Sequence, residues 1–406
     1  MTGPAGGHGG AHAATRVTRA TRAARRRALA VLLALTVGGA AGVGAGVVRA
    51  DDAGPGPAFA PRLLIQSDLV VAHHGAHDPL TADPVTRPGP YLRRARPGGD
   101  GAVGPWRGRV VIEAASQPEI PPAGTVAATP PAATAGGVDP IAGMGDGGAT
   151  ARPVEAFVAF APDKALAVSA GVLRVPLGLS RQIDEGDLRL PERARIVTRG
   201  TPDARAGVAL RGDTGLLQYA FGTYAVTPRL GTPRLESSAA GAGTLYVGRL
   251  SAEPVGPLGI APHLRRHDDP WYSWWRFSVG VSTFFAQLPG HNEWGLGGDG
   301  QFQWARLCVT GEVLWTRRAP LDRVGFTVEP GVFVVPDLLE VVARLEWFND
   351  DVGPRSPLDA WGGSLGATVW SATRHARLQA AYTLRRAAAG GDPISGWAVL
   401  RATFTL

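Results

Sequence analysis

The chain has 406 residues, with 56 glycines, 34 prolines and only 18% charged residues. Its formal net charge of +7 arises from residues 1–50, which contain seven arginines and no acidic residue, whereas the remaining 34 basic residues equal the 34 acidic ones. A neutral body excludes a general electrostatic attraction to nucleic acid, and the single cysteine, Cys308, excludes an intramolecular disulfide or a cysteine-based metal cluster.

Residues 1–50 have the anatomy of an export signal peptide. A basic stretch ends at residues 25–27, an apolar run covers residues 28–48, and Val48 and Ala50 supply small residues at the usual cleavage positions. The alternative is a transmembrane anchor, because the apolar run is about long enough to span a bilayer. The glycine-rich second half of the run favours cleavage, so we predict an exported protein with a mature body of residues 51–406.

Beyond residue 50 the dominant pattern is an alternation of apolar and polar side chains, which indicates β-strands. The clearest runs are residues 276–285, 305–315, 339–347, 376–386 and 396–406, and looser ones are 62–72, 108–115, 154–160, 165–175, 215–226 and 244–253. Their length of about 9 to 11 residues is what a tilted strand needs to cross a bilayer. The polar parity supplies candidate lumen-wall residues: Arg276, Arg306, Arg344, Arg377 and Arg401.

Alternation alone does not distinguish a soluble sandwich from a membrane barrel, since both have one apolar face. Aromatic residues cluster near strand ends, as at an interfacial girdle, in two groups: Trp271, Tyr272, Trp274, Trp275 and Phe277, then Trp347 and Phe348. An exported chain without disulfides gains stability from closing its sheet. The strand pattern also continues to the last residue, as expected if the last strand pairs with the first. We therefore predict an all-β fold, a transmembrane antiparallel β-barrel.

Two segments interrupt the strand pattern. Residues 116–152 are rich in proline, alanine and glycine and indicate a low-complexity loop. Residues 178–205 are highly charged and are either a solvated surface loop or a loop folded into the barrel lumen, where it would form a constriction. The candidate constriction residues are Arg181, Asp184, Glu185, Asp187, Arg189, Glu192, Arg193, Arg195, Arg199 and Arg205.

The sequence offers no catalytic constellation, and we predict no enzyme, cofactor or metal. Serine-hydrolase, zinc-protease and P-loop motifs are missing from it. His73, His74 and His77 are interpreted as loop residues, because adjacent histidines at a strand end point to opposite faces, and the same holds for His263 and His267. The glycine-rich run GLGGDG at residues 295–300, like RPGGDG at 96–101, is predicted to form a turn.

Six stretches in order resemble the phosphate-selective porin O and P family of bacterial outer-membrane channels: residues 91–96 (YLRRAR), 171–193, 205–224, 248–259, 329–351 and 375–406. The resemblance implies a 16-stranded barrel, usually a homotrimer, whose third loop folds inward. Phosphate channels of this family use pore lysines, but Lys164 is the only lysine here. Phosphate selectivity is therefore not carried over, and residues 116–152 have no counterpart in the family.

Together these observations predict a porin in the outer membrane, through which small anionic or neutral hydrophilic solutes diffuse passively. Arginine side chains would supply hydrogen-bond donors for anions, although pairing of each arginine with a nearby acid is an open structural alternative. The implied partners are outer-membrane lipid and the barrel-assembly machinery, which would engage the C-terminal strand. The competing predictions are a secreted soluble β-rich binding protein and a barrel hydrolase.

Overall fold

The computed structural model describes the strands and the connecting segments that lie in the interior. The described residues are 57–73, 89–116, 152–202, 204–226, 243–256, 258–259, 261, 274–288, 291–318, 321–349, 360–387 and 395–406. The predicted export signal at residues 1–50 and residues 117–151 of the low-complexity loop lie outside the described residues.

Within the described residues, one antiparallel sheet contains 17 strands. They are β1 (Ala58–His73), β2 (Gly89–Val103), β3 (Trp106–Glu113), β4 (Ala115–Ser116), β5 (Arg152–Asp163), β6 (Leu166–Leu173), β7 (Arg205–Asp213), β8 (Leu217–Val226), β9 (Gly243–Ala252), β10 (Arg276–Leu288), β11 (His291–Trp304), β12 (Leu307–Arg318), β13 (Leu321–Val335), β14 (Leu339–Asn349), β15 (Ala360–Trp370), β16 (Ala376–Ala387) and β17 (Ser395–Thr405). β3 and β4 are consecutive in the chain, and both pair with β2. They therefore count as one position in the barrel wall. The wall therefore has 16 positions.

The sheet closes on itself. Each wall position pairs with the next along the chain, and β17 returns to β1 with Leu64 opposite Thr405 and His73 opposite Gly396. This pairing explains the apolar C-terminus: the last strand completes the wall, so neither terminal strand keeps an unpaired edge. The predicted 16-stranded antiparallel barrel is confirmed.

The two faces of the wall have opposite chemistry. In β14, Leu345 points outward and is exposed, whereas the neighbouring Arg344 and Glu346 point inward and are buried. Exposed or half-exposed aromatic residues mark both ends of the outer face: Trp106, Phe160 and Trp304 at one end, and Trp294, Trp315, Trp347 and Trp361 at the other. Among the described residues, no helix is long and apolar enough to cross a membrane.

Three sequence predictions about the wall are wrong in detail. Phe348, predicted to belong to an outer girdle, points inward and is buried, because it follows the outward Trp347 by one position. The glycine-rich runs at 96–101 and 295–300 are not turns but lie within β2 and β11. The glycines of these two runs leave space that aromatic rings of neighbouring strands occupy. A Cβ at Gly295, for example, would lie 2.4 Å from the Phe284 ring.

Candidate functional site in the barrel interior

A single segment, residues 174–204, crosses the interior between β6 and β7, the fifth and sixth wall positions, and is called the lumen segment below. It contains a 3-10 turn (Glu185–Asp187) and a short helix, α1 (Arg195–Gly200). Its side chains contact inward-facing residues of strands around the wall, as described in the following paragraphs. Of the two predicted alternatives for residues 178–205, the inward-folded loop is therefore the observed one.

The beginning of the lumen segment is anchored by apolar contacts. Val175 and Leu177 are fully buried against an inward-facing apolar cluster from five adjacent strands, which begins at Leu173 of β6. The cluster members on β7 to β10 are Ala209, Tyr224, Val226, Leu245, Val247, Phe284, Ala286 and Leu288. One sector of the interior is thus dry and apolar, which the simple rule of apolar outside and polar inside did not predict.

A second apolar anchor lies across the barrel. Ile196 and Val197 of α1 pack with Leu314 of β12 and Phe348 of β14. The backbone N–H of Arg195 donates a hydrogen bond to Glu346 Oε2 at 2.9 Å. The carboxylate thereby satisfies a free N–H at the first turn of the helix.

The middle of the segment is held by one arginine. Arg189 donates from Nε to Glu340 Oε1 at 2.9 Å, from Nη1 to the carbonyl oxygen of Glu329 at 2.9 Å, and from Nη2 to the carbonyl oxygen of Cys308 at 3.1 Å. Both members of the Arg189–Glu340 pair are buried. Because an unpaired buried charge is costly, this pair fixes the segment to β12, β13 and β14.

Four of the five predicted wall arginines lie on the inward parity and are buried: Arg276, Arg344, Arg377 and Arg401. Three of them donate to backbone carbonyls of the lumen segment, at Glu192 (2.7 Å) from Arg344, at Glu185 (3.2 Å) from Arg377, and at Pro191 from Arg401. Arg276 donates to Gln303 Oε1 at 2.7 Å on the adjacent strand.

Arg306, the fifth predicted wall arginine, is not in the wall. It is exposed in the two-residue turn between β11 and β12, where the preceding Ala305 has a φ of 46°. The alternation in residues 305–315 starts two positions before the strand does. The alternation of side chains does not show where the backbone turns, and the prediction was wrong at this position for that reason.

The carboxylates of the 3-10 turn lie in different electrostatic surroundings. Glu185 contacts Arg94 Nη1 at 2.7 Å and Arg193 Nε at 3.1 Å. Burial opposes ionisation of Glu185, but the guanidinium groups of Arg193 and Arg94 outweigh it and hold its pKa well below the usual range. Burial and the nearby Asp184 carboxylate instead raise the pKa of Asp187 to about 6.

The remaining predicted constriction residues are dispersed over the segment. Glu192 lies 3.7 Å from Arg93 Nη1, and Arg181 donates to the carbonyl oxygen of Pro202 at 3.2 Å. Arg205 is the first residue of β7 and is fully buried. The side chain of Arg199 lies outside what the structure describes.

Sequence reasoning missed a ring of six alternating charges. Arg62 contacts Asp100 at 2.5 Å, Asp100 contacts Arg109 at 2.7 Å, and Arg109 contacts Glu155 at 3.1 Å. Glu155 also pairs with Arg174, Arg174 pairs with Asp184, and Asp184 lies 3.8 Å from Arg62. This six-charge ring joins β1, β2, β3 and β5 to the lumen segment.

The signal for the ring was present in the sequence but was not used. Arg62, Gln66 and Asp68 share the polar parity of the first predicted strand, and Arg109 shares that of the run at 108–115. Asp100 was not recognised because it lies in a glycine-rich run that was predicted to be a turn.

In the part of the chain that the structure describes, no group of three or more histidine, cysteine, aspartate or glutamate residues is arranged to hold a metal ion. Cys308 is free and buried in the wall. The side chains of His73, His74, His77, His263 and His267 lie outside the described part.

The closed sheet of 16 wall positions, apolar outside and charged inside, is the fold of outer-membrane barrel proteins. No family model and no curated protein matches the chain. Among solved structures, the anion-selective porin from Comamonas acidovorans is 11% identical with a TM-score of 0.54, over 86% of this chain and 100% of that one.

Two further solved structures share the fold. The outer membrane channel DcaP of Acinetobacter baumannii is 11% identical with a TM-score of 0.53, over 87% of this chain and 99% of that one. OmpT of Vibrio cholerae, an outer membrane protein in trimer form, is 10% identical with a TM-score of 0.52, over 86% and 100% of the two chains. At these identities the likeness establishes the fold, and membership of the phosphate-selective porin O and P family stays a prediction.

Proposed function

We propose that the protein is a porin, a channel for passive diffusion of small hydrophilic solutes across a bacterial outer membrane. The observation that carries the proposal is the inverted wall: an apolar outer face with aromatic ends suits lipid, and a charged inner face suits water. The inward lumen segment would narrow the path. A soluble sandwich is less compatible with this arrangement, because it packs its apolar faces together.

Anion preference is part of the proposal. Arg377 donates to the backbone carbonyl of Glu185 in the lumen segment. A carbonyl oxygen orients a guanidinium group without cancelling its unit charge, so this contact leaves positive potential in the interior. Other arginines are neutralised by acids, as Arg344 is by Glu329 and Arg401 is by Asp68. The expected preference is therefore modest, and we do not assign phosphate as the solute.

The proposal also places the protein in its cellular setting. We infer export by residues 1–50, insertion into outer-membrane lipid, and recognition of β17 by the barrel-assembly machinery. Homotrimer formation is supported by the trimer form of one structural neighbour. No catalytic step is included, in keeping with the named neighbours that are a porin and a channel.

The proposal is tested by reconstituting the protein without residues 1–50 into a planar bilayer. Discrete conductance steps are expected, with a reversal potential in a potassium chloride gradient that indicates modest preference for chloride. A cation-selective channel would remove the anion preference alone. A protein that stays soluble without detergent and gives no conductance would favour the secreted binding protein instead.

A further inference from the structure

The lumen segment meets most of the wall through contacts that exclude water. Its pairs with β14 are buried, with the Arg189 and Glu340 side chains 3% and 0% exposed. Toward β7 to β10 the contact is the apolar cluster around Leu177. Toward β12, the backbone N–H of Ser180 donates to Glu312 Oε1 in another buried contact. In these sectors the described side chains seal the segment against the wall.

The sector formed by β1, β2, β3 and β5 is different at the six-charge ring, although Arg94 of β2 and Glu185 of the segment form a contact there that is only 8% and 12% exposed. In the six-charge ring, the Arg62 and Asp184 side chains are 37% and 36% exposed, and those of Arg109, Asp100 and Arg174 are 27%, 22% and 22% exposed. Glu155 is the buried member. Water therefore reaches the junction between the lumen segment and the wall at the ring. The charged pair toward β14, Arg189 with Glu340, is by contrast inaccessible to water.

The ring also contains the loosest link between the segment and the wall. Arg62 of β1 and Asp184 of the segment are 3.8 Å apart, and they are the two most exposed members. The other link, between Arg174 and Glu155, is a close ion pair in which Glu155 is buried. The widest and wettest point of the junction thus lies between Arg62 and Asp184.

We propose that solutes pass the lumen segment at the six-charge ring, between the segment and β1 to β3, and that the ring sets the charge selectivity of the channel. This inference rests on the proposed function. Three guanidinium groups alternate with three carboxylates, so an ion of either sign meets both an attractive and a repulsive partner. Removing one charge unbalances the ring, and its sign determines which ions then pass more easily.

The first test uses neutralising variants of opposite sign. Asp100→Asn should raise the anion-to-cation permeability ratio about two- to threefold, and Arg62→Gln should lower it by a similar factor, as expected for a partly screened unit charge near the path. Opposite shifts cannot result from misfolding, which would change both variants in the same way. Asp163→Asn at the exposed end of β5 is the matched control and should leave the ratio unchanged.

The second test locates the path with cysteines in a Cys308→Ser background. Asp100→Cys lies at the ring, whereas Ser282→Cys lies in a sealed sector, where the Ser282 side chain is 1% exposed and its hydroxyl accepts the Gly178 N–H at 3.3 Å. A charged methanethiosulfonate reagent should reduce the conductance of open Asp100→Cys channels and leave Ser282→Cys channels unaffected.

The outcomes separate the two proposals. A parent protein that gives no conductance refutes the porin, and the ring inference with it. A conducting parent whose selectivity is unchanged by both Asp100→Asn and Arg62→Gln, or equal loss of conductance at the two cysteine positions, overturns the ring inference and leaves the porin standing.

Discussion

At the scale of single residues, the interior depends on a few buried polar side chains that bind more than one element. Arg189 is the clearest example, because its three donors reach β12, β13 and β14 at once. Strand β13 leaves room for the Arg189 side chain at Gly331, where an added Cβ would lie 1.5 Å from Arg189 Nη2. A glycine that would be considered unfavourable in a strand is therefore part of the binding site for the lumen segment.

We predict that Gly331→Ala displaces Arg189 and weakens the attachment of the lumen segment. Displacement would leave Glu340 as an unpaired buried carboxylate, which typically costs about 3 to 5 kcal/mol. The free energy of unfolding, measured by urea titration in detergent, should fall by about 3 kcal/mol. Gly311→Ala in β12 is the matched control, because its Cβ would meet its nearest neighbour at an ordinary 3.6 Å. Equal stability of the two variants would contradict the role of Gly331.

A second residue-scale prediction concerns pH and Asp187. Its pKa is raised from 3.8 to about 6 by burial and by Asp184. Between about pH 4 and pH 6 the Asp187 carboxyl is therefore protonated in the folded protein but ionised in the unfolded chain. Ionisation of Asp187 therefore destabilises the folded state increasingly as the pH rises from about 4 to about 6, and fully above that range.

Asp187→Asn should consequently be more stable than the parent at pH 7 to 8, by about 1 to 2 kcal/mol after allowance for partial exposure, with the difference vanishing near pH 4. Urea midpoints measured between pH 4 and pH 8 test this. Asp163→Asn provides the same substitution outside the lumen. A difference that does not depend on pH would show that the charge of Asp187 is not the cause.

At the scale of elements, the strands that the sequence revealed are those with regular alternation. In β14, β16 and β17 the apolar and charged parities were assigned correctly, because each face is chemically uniform. β11 and β15 were not recognised as strands, and β2 only at its start, since residues such as Gly99, Gly295 and Gly366 interrupt the pattern and look like turns. Neighbouring side chains occupy the space that these glycines leave, and a single sequence does not record such neighbours.

The lumen segment could be predicted only in part for the same reason. Its charges indicated two alternatives, a solvated loop or a loop folded inward. The deciding residues are apolar: Val175, Leu177 and Ile196 need apolar partners inside the barrel, and these partners lie on β8, β9, β10 and β12, far away in sequence. Long-range packing of this kind selects the conformation without leaving a local pattern.

We predict that helix α1 is held mainly by its apolar face. Ile196→Ala removes buried contacts with Leu314 and Phe348 and should lower the free energy of unfolding by about 2 to 4 kcal/mol. Ile112→Ala is the matched control, because Ile112 on β3 points outward and is exposed. This control substitution should lower the free energy of unfolding by less than about 1 kcal/mol. Proteolysis by trypsin at the arginines of the lumen segment should accelerate in Ile196→Ala alone, and equal cleavage in both variants would contradict the anchoring role of α1.

At the scale of the whole molecule, the barrel combines a lipid-compatible exterior with an interior that is largely self-neutralised. Arginines of the wall and acids of the lumen segment pair with each other, as Arg94 does with Glu185. Wall residues also pair among themselves, as Arg249 of β9 does with Asp299 of β11 across the intervening β10. The same chain therefore supplies both the barrel wall and the segment that lies inside it. The wall and the lumen segment provide each other's counter-charges.

The final prediction concerns closure of the barrel, where β17 meets β1. Arg401 donates to Asp68 from Nε at 2.6 Å and from Nη2 at 2.7 Å, and both side chains are fully buried. Arg93 of β2 adds a contact to the same carboxylate at 3.3 Å. Asp68 thus links the first, second and last strands, and Asp68→Asn would leave two buried guanidinium groups facing a neutral amide.

Because breaking a buried pair costs about 3 to 5 kcal/mol, Asp68→Asn should reduce the yield of closed barrel in refolding. The yield is measured as the fraction of heat-modifiable protein on an unboiled gel. Asp322→Asn is the matched control, since Asp322 pairs with Arg317 near the end of the wall, where the side chains are 32% and 54% exposed. An exposed pair contributes about 0 to 1 kcal/mol, so the control should refold normally. If Asp68→Asn refolded equally well, backbone pairing between β1 and β17 would suffice for closure, and the buried charges would serve the lumen alone.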